Sequence, residues 1–343
     1  MPKRNKISPF GLFCLVYLSR IVVSLTAVSS MTYGAIGADL LISLVISLGL
    51  TLVLSLPAVY CYAKGKNPFD NGFVGLLYLL FFIFLSSVNI SRFSYFASTT
   101  LNPETKAWLF VVIIAVCAWY CCKLGIEALT RFAGFAFLLT VIGIIFVVSM
   151  NIKGYREINL YPVVTNSTGV ILRNAVILSS NTAELAYLLC LKDRVNGYAL
   201  KSFVGGIIGA YATLFTIILI MLGIMGDGAR LEDFPVFTLF QMTKINYLER
   251  LDVLHISFWI TGIFIKTVLL QYCAAISIKR FNMNKKCTVI GVITFALTVV
   301  MLQTGLSLKA SPIILNIPFW IFCVLIPLIT LVFGKRKSTN EAN

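Results

Sequence analysis

The chain contains few charged residues. They make up 12% of its 343 residues, against about 25% in a typical soluble domain. It has one histidine, and no H-E-x-x-H, G-x-S-x-G or glycine-rich phosphate-binding loop occurs, so the sequence gives no reason to expect an enzyme. Its nine cysteines show no C-x-x-C spacing, which indicates neither a zinc site nor a disulfide framework. We therefore expect no catalytic residue, no metal and no cofactor.

Apolar runs of about 20 residues, the length of a helix that crosses a bilayer, recur along the whole chain. Hydrophobic residues make up 59% of the sequence. We predict a single all-α integral membrane domain over residues 1–343, with a longer outer loop at 226–252. Its ten predicted spans lie at about 8–31, 37–60, 73–98, 107–122, 132–151, 168–191, 202–225, 253–278, 287–304 and 313–333.

The net charge of +15 comes from 28 basic and 13 acidic residues. Ten spans put both termini on one side of the membrane, and the loops and tails on that side hold most of the Lys and Arg. Basic residues are enriched in cytoplasmic loops, so the charge indicates cytoplasmic termini in a multi-pass cell membrane protein. The excess of basic residues is thus explained by the orientation of the protein in the lipid bilayer, and no nucleic acid partner is expected.

Ten spans divide into two sets of five, and the second set would run inverted relative to the first, as in many secondary transporters. Polar clusters interrupt corresponding spans, at 24–30 in the first and at 179–184 in the sixth. Two interpretations are open: the helices are broken around a ligand site, or the hydroxyls bond to their own helix backbone. In the first case the candidate binding residues are Ser24, Thr26, Ser180, Asn181 and Thr182.

Lys266 and Glu184 are the most informative ionisable residues. A lysine at bilayer depth costs roughly 2.5–3.5 kcal/mol on insertion scales, so Lys266 needs a partner, a wet cavity or a function. Glu184, in the sixth span, is at similar depth. It is expected to bind a proton, to hold a substrate ammonium or to form a structural ion pair with Lys266. Arg92 is a third candidate for this charge set, although Arg92 and Arg20 lie close enough to span ends to snorkel to the interface.

A distinctive set of residues lies before and within the eighth span: Phe234-Pro235, the Leu-Glu-Arg-Leu-Asp element at 248–252, Trp259, Phe264 and Lys266. In this set the chain resembles the B-subunit permease family of bacterial spore germinant receptors. Two looser matches to the same family are Ser91-Arg92-Phe93 in the third span and Asn181-Thr-Ala-Glu184 in the sixth.

This resemblance implies the five-plus-five inverted-repeat fold of amino acid–polyamine–organocation transporters, with discontinuous first and sixth helices. It implies a receptor subunit of the spore inner membrane that acts with a membrane A subunit and a lipoprotein C subunit. A small nutrient, typically an amino acid, would bind in the membrane and trigger germination. The alternative is a proton-coupled amino acid transporter with no signalling role.

Overall fold

A computed structural model describes residues 6–26, 36–180, 183–242, 252–278, 282–306 and 312–334. Most of these residues are helical, and short π-helical turns, Ala97–Leu101 and Trp320–Leu325, extend α3 and connect α12 to α13. The α-helices are α1 (Pro9–Thr26), α2 (Asp39–Ala63), α3 (Gly72–Phe96), α4 (Ala107–Leu124), α5 (Ile126–Asn151), α6 (Thr168–Ser180), α7 (Glu184–Cys190), α8 (Ala199–Met225), α9 (Pro235–Met242), α10 (Asp252–Ser277), α11 (Met283–Thr304), α12 (Pro312–Phe319) and α13 (Ile326–Phe333).

Eight helical stretches of the described chain are long and apolar enough to cross a membrane. They correspond to all the predicted spans except the first and the sixth. The described apolar part of the first, Pro9–Val22, is shorter. At the sixth, two helices, α6 and α7, occupy the range where one span was predicted. The fold is thus an all-α membrane fold, whereas the count of ten membrane spans stays a prediction.

Helix ends follow local signals in the sequence. The side chain of Asn71 accepts a hydrogen bond from the backbone N–H of Phe73 and so caps the start of α3. Gly125, with φ of 90°, ends α4, and Gly305, with φ of 64°, ends α11. Positive φ is a conformation that glycine adopts without the steric penalty of a Cβ. These signals set the start of α3 and the ends of α4 and α11.

The helices pack as two groups. In the first group α1 packs on α8, and α2 packs on α6, α7 and α8. In the second group, α3, α4, α10 and α11 all contact one another. The groups meet mainly where α1 contacts α10. A side chain that connects α10 to α1 or α7 therefore connects the two groups.

The contacts follow the pattern of a five-plus-five repeat. In such a repeat α1 corresponds to α6, α2 to α8, α3 to α10, and α4 to α11. The contact of α1 with α8 then corresponds to that of α6 with α2, and the contact of α3 with α11 to that of α10 with α4. Both members of each pair are present. This agreement supports the inverted repeat expected from transporter folds.

The helices α3 and α10 run antiparallel at close range. The Nδ2 atom of Asn89 donates to Oγ1 of Thr267 at 2.9 Å, and nearer the start of α3 a Cβ on Gly75 would lie 2.5 Å from the carbonyl oxygen of Ser277. At the other end of the contact, the ring of Phe96 packs edge-on against that of Trp259, with 4.1 Å between the ring centres. This packing fixes the position of α10 within the second group.

The described part of the outer segment contains α9, which packs on α8 and α10. Its buried residues include Phe237 and Phe240. The ring of Phe237 packs edge-on against that of Phe96, with 5.5 Å between the ring centres. The Leu-Glu-Arg-Leu part of the family element, residues 248–251, lies outside the described residues. α9 thus packs on Phe96, whose ring contacts Trp259 where one end of α3 meets α10.

Candidate functional site

An ion pair lies inside the protein where α1, α7 and α10 meet. Glu184 is the first residue of α7, and Lys266 lies near the middle of α10. The Nζ atom of Lys266 is 3.1 Å from Oε1 of Glu184, with the two side chains 6% and 0% exposed. Pairing with a carboxylate, with further hydrogen bonds, is what offsets the cost of burying such an ammonium. The ion pair connects α10 of the second group to α7, at the break within the sixth predicted span.

Ser19 of α1 contacts both charged groups. Its Oγ donates to Oε1 of Glu184 at 2.6 Å and lies 3.3 Å from the hydroxyl of Tyr187. Its carbonyl oxygen accepts a hydrogen bond from Nζ of Lys266 at 3.0 Å. Oε1 of Glu184 therefore has two donors, whereas the buried Oε2 has no hydrogen-bond partner in the part of the chain that the structure describes. This second oxygen can accept a hydrogen bond from a ligand or a water.

Arg20 lies next to Ser19, and its predicted snorkelling to the interface is wrong. Arg20 is only 1% exposed. Its Nη2 donates to the carbonyl oxygen of Leu178 and to the hydroxyl of Tyr211, both at 2.7 Å. The guanidinium also lies 4.7 Å from the centre of the Tyr211 ring. Hydrogen bonds inside the protein thus satisfy the guanidinium of Arg20 in place of water and lipid headgroups at the membrane interface. Because Leu178 lies in the last turn of α6, Arg20 also complements the negative end of that helix dipole.

The hydroxyl of Tyr211 extends this network to α2. Ser47 and Thr51 each place a hydroxyl 2.8 Å from it. Arg20, Tyr211 and these two side chains join α1, α2, α6 and α8, which all belong to the first group. The network therefore holds the end of α6 against α1 and α8.

Three cations take part in the electrostatics of this site. The positive charges of Lys266 and Arg20 attract Glu184, whereas Arg20 and Arg92 repel Lys266. Arg92 is half-buried on α3, so its charge acts on Lys266 from the second group. Its role in pairing or coupling stays a prediction. Among these four groups positive charge is in excess, which suits a ligand that brings a carboxylate of its own.

The predicted polar binding residues are only partly described. Ser180 is buried at the end of α6, and its hydroxyl donates to the carbonyl of Ile177 at 3.0 Å. This is the bond to the helix's own backbone that was the alternative interpretation. Asn181 and Thr182 lie outside the described residues, as do the side chains of Ser24 and Thr26.

Sequence reasoning missed Ser19, Tyr187 and the Arg20 network. One available signal was the spacing on α2, where hydroxyl residues recur every four positions. A spacing of four places side chains on one helix face, and a face of hydroxyls in an apolar helix requires polar partners inside the protein. The buried members of this series are Ser43, Ser47, Thr51 and Ser55.

The eight apolar helical stretches define a polytopic, all-α membrane protein. The model of a family described as "Spore germination protein" matches residues 71–307, which is more than half of the chain. The chain belongs to this family of spore germination permeases. The resemblance first seen around Lys266 is thus confirmed.

Curated relatives carry names that agree with the family. The chain is 21% identical over 248 residues to spore germination protein A2 of Bacillus subtilis (strain 168), covering 70% of this chain and 68% of the relative. It is 24% identical over 254 residues to spore germination protein XB of Bacillus anthracis, covering 69% and 70%. It is 23% identical over 287 residues to spore germination protein KB of Bacillus subtilis (strain 168), covering 77% and 76%.

Solved structures with a similar fold are transporters. Mhp1, a nucleobase-cation-symport-1 family transporter in a closed conformation with bromovinylhydantoin bound, has a TM-score of 0.51 and 11% identity, with 93% of this chain and 79% of that chain covered. Its inward-facing conformation has a TM-score of 0.50 and 11% identity, with 95% and 76% covered. At this identity the likeness concerns the fold alone.

Proposed function

We propose that this protein is the nutrient-binding, permease-like B subunit of a spore germinant receptor. A small nutrient, an amino acid, binds in the membrane beside Glu184 and Lys266, and partner subunits read the resulting conformational change. The partners are a membrane A subunit and a lipoprotein C subunit in the spore inner membrane, and the termini are cytoplasmic. Membership of the germination family and the transporter-type fold support this proposal. The observation that carries it is the buried ion pair between the two helix groups.

The chemistry of the site suits an amino acid. Oε2 of Glu184 has acceptor capacity for an ammonium group, since only Oε1 is engaged within the described chain. Arg20, Arg92 and Lys266 supply positive charge for a carboxylate. An amino acid carries both complementary groups on adjacent atoms. The other predicted contacts, from Ser24, Thr26, Ser180, Asn181 and Thr182, would then orient the ligand.

A trigger follows from the position of the pair. Lys266 belongs to the second helix group, whereas Glu184 and Ser19 lie on α7 and α1. A ligand ammonium at Oε2 of Glu184 shares the single negative charge of that carboxylate with Lys266 and repels its ammonium, which weakens the contact between the groups. The ligand then favours the arrangement in which the groups have separated, as a differential affinity for two states requires.

A proton-coupled amino acid transporter with no signalling role is the second candidate. The observation that favours it is the contact of Lys266 with the backbone carbonyl of Ser19, since backbone carbonyls in discontinuous helices hold coupling cations in secondary transporters. Lys266 would replace such a cation, and Glu184 would carry the proton.

Germination assays on spores carrying Glu184→Gln or Lys266→Met test the receptor proposal. Both variants are expected to lose the nutrient response while the protein is still present in the membrane. Glu127→Gln, at a half-buried position, and Lys201→Met, at an exposed position, are the controls, and both should respond normally. A normal response in both site variants contradicts the proposal. Robust uptake by liposomes driven by a pH gradient, without any effect of the variants on germination, would favour the transporter instead.

A further inference from the structure

Two buried thiols meet where α4 packs against α11. The sulfur atoms of Cys122 and Cys287 lie 2.7 Å apart, and both residues are 0% exposed. The two cysteines are separated by 165 positions, so their linear spacing gave no indication of the contact. A disulfide bond measures roughly 2.0 Å between sulfurs. The pair therefore has to close by only about 0.7 Å to reach bonding distance.

The packing around the thiols keeps them in register. One turn before Cys122, the indole Nε1 of Trp119 donates to Oγ1 of Thr288 at 3.2 Å. A Cβ built on Gly291 would lie 3.3 Å from the Trp119 ring, so the missing side chain lets this ring approach α11 closely. Both contacts lie within four residues after Cys287 along α11. The approach of the two sulfurs therefore belongs to a packed helix interface.

We propose that Cys122 and Cys287 are a redox-sensitive pair whose disulfide joins α4 to α11. With hydrogen peroxide as the oxidant, the sulfur of one thiolate attacks a peroxide oxygen and the O–O bond breaks, which gives a sulfenic acid and hydroxide. The proton that the thiol lost on ionising joins the hydroxide, which leaves as water. The second thiol attacks the sulfenic sulfur, the S–S bond forms, and a second water leaves with the thiol proton. In total, two thiols and one peroxide give one disulfide and two waters, and two electrons pass from sulfur to oxygen.

The surroundings of the pair favour this reaction. The positive charges of Lys123 and Lys286 act on Cys287. Although the thiols are buried, Cys122 lies two residues before Leu124, which is 52% exposed, at the end of α4. Cys287 lies in the second turn of α11. A small uncharged oxidant reaches the pair when these terminal turns open, which is the common low-energy fluctuation of a helix end.

The bond would join two helices of the second group, which also contains α10 and its Lys266. α4 and α11 are corresponding helices of the repeat, and each also packs on α3 and α10. A covalent link between distant parts of the chain restricts the unfolded state. The disulfide therefore makes the second group harder to pull apart, and the oxidised protein unfolds at a higher temperature than the reduced protein.

The test uses the full-length protein in detergent, treated with hydrogen peroxide or with a reductant. We expect non-reducing digestion and mass spectrometry to give a linked pair of peptides containing Cys122 and Cys287, and the melting temperature to rise on oxidation. In Cys122→Ser and Cys287→Ser, both the linked peptide and the rise should be lost. Cys121→Ser, which changes the neighbouring and partly exposed thiol, should retain both.

Three results would overturn the inference. One is the absence of a linked peptide in the oxidised, folded wild-type protein. Another is a link that involves Cys121 in place of Cys122. The third is a correct link with a melting temperature that is unchanged or lower. If a serine variant fails to fold, the corresponding alanine variant replaces it, since alanine leaves no buried hydroxyl without a partner.

Discussion

Replacing Glu184 by glutamine leaves the Lys266 ammonium buried without its carboxylate. Removing one partner of a buried ion pair costs about 3–5 kcal/mol, because the remaining charge is uncompensated. Lys266 would keep only neutral acceptors, such as the Ser19 carbonyl at 3.0 Å, while the charges of Arg20 and Arg92 repel it. We therefore expect Glu184→Gln to cost near the upper end of that range, about 5 kcal/mol.

The reverse change, Lys266→Met, should cost less. Glu184 would keep the hydrogen bond from the Ser19 hydroxyl at 2.6 Å and the attraction of Arg20. We expect a loss of about 3 kcal/mol, at the lower end of the range. The double variant removes both charges, so its cost should fall short of the sum by a coupling energy of about 2–3 kcal/mol.

Denaturant-induced unfolding in detergent micelles gives the four free energies of this cycle. The matched control is the exposed pair of Glu127 and Arg131, whose atoms are 2.7 Å apart with side chains 44% and 79% exposed. An exposed pair of this kind couples by about 0.3–0.5 kcal/mol. A Glu184–Lys266 coupling no larger than that of the control would refute the reasoning, as would Lys266→Met being the costlier single change.

Two further variants test the packing that positions the site. Tyr211→Phe removes a hydroxyl that three buried groups contact, and should lower the free energy of unfolding by about 1–3 kcal/mol; Tyr198→Phe, at a residue 74% exposed, should leave it unchanged. Gly75→Ala places a methyl group 2.5 Å from the carbonyl of Ser277 and should cost about 1–3 kcal/mol. Gly49→Ala meets open space and should be neutral or stabilising, by up to about 1 kcal/mol; equal effects at the two glycines would contradict the close packing of α3 and α10.

The class of fold could be predicted because a bilayer imposes its dimensions on the sequence. Apolar runs of the required length predicted the spans, and eight helical stretches of the described chain meet that criterion. The cost of an intramembrane lysine also singled out Lys266, and the comparable depth of Glu184 made it the partner to examine. The structure places their charged atoms 3.1 Å apart. Their part in ligand binding stays a prediction.

The partners of the pair could not be predicted in the same way. Ser19 contributes a hydroxyl and a carbonyl from another helix, and which atoms meet depends on how α1 rotates against α7 and α10. Arg20 was wrongly assigned to the interface because sequence position alone does not show that Tyr211 and the Leu178 carbonyl can satisfy it internally. Depth along a span is readable from sequence, whereas the direction of a side chain around its helix is set by packing.

The central claim is that a nutrient acts on the Glu184–Lys266 pair. The most direct test is a thermal-shift screen of amino acids against the purified wild-type protein and the folded Glu184→Gln variant. We predict that at least one amino acid raises the melting temperature of the wild-type protein and that the same amino acid leaves the variant unchanged. An equal shift in both proteins, or stabilisation of the wild type by none of the amino acids, would contradict the claim.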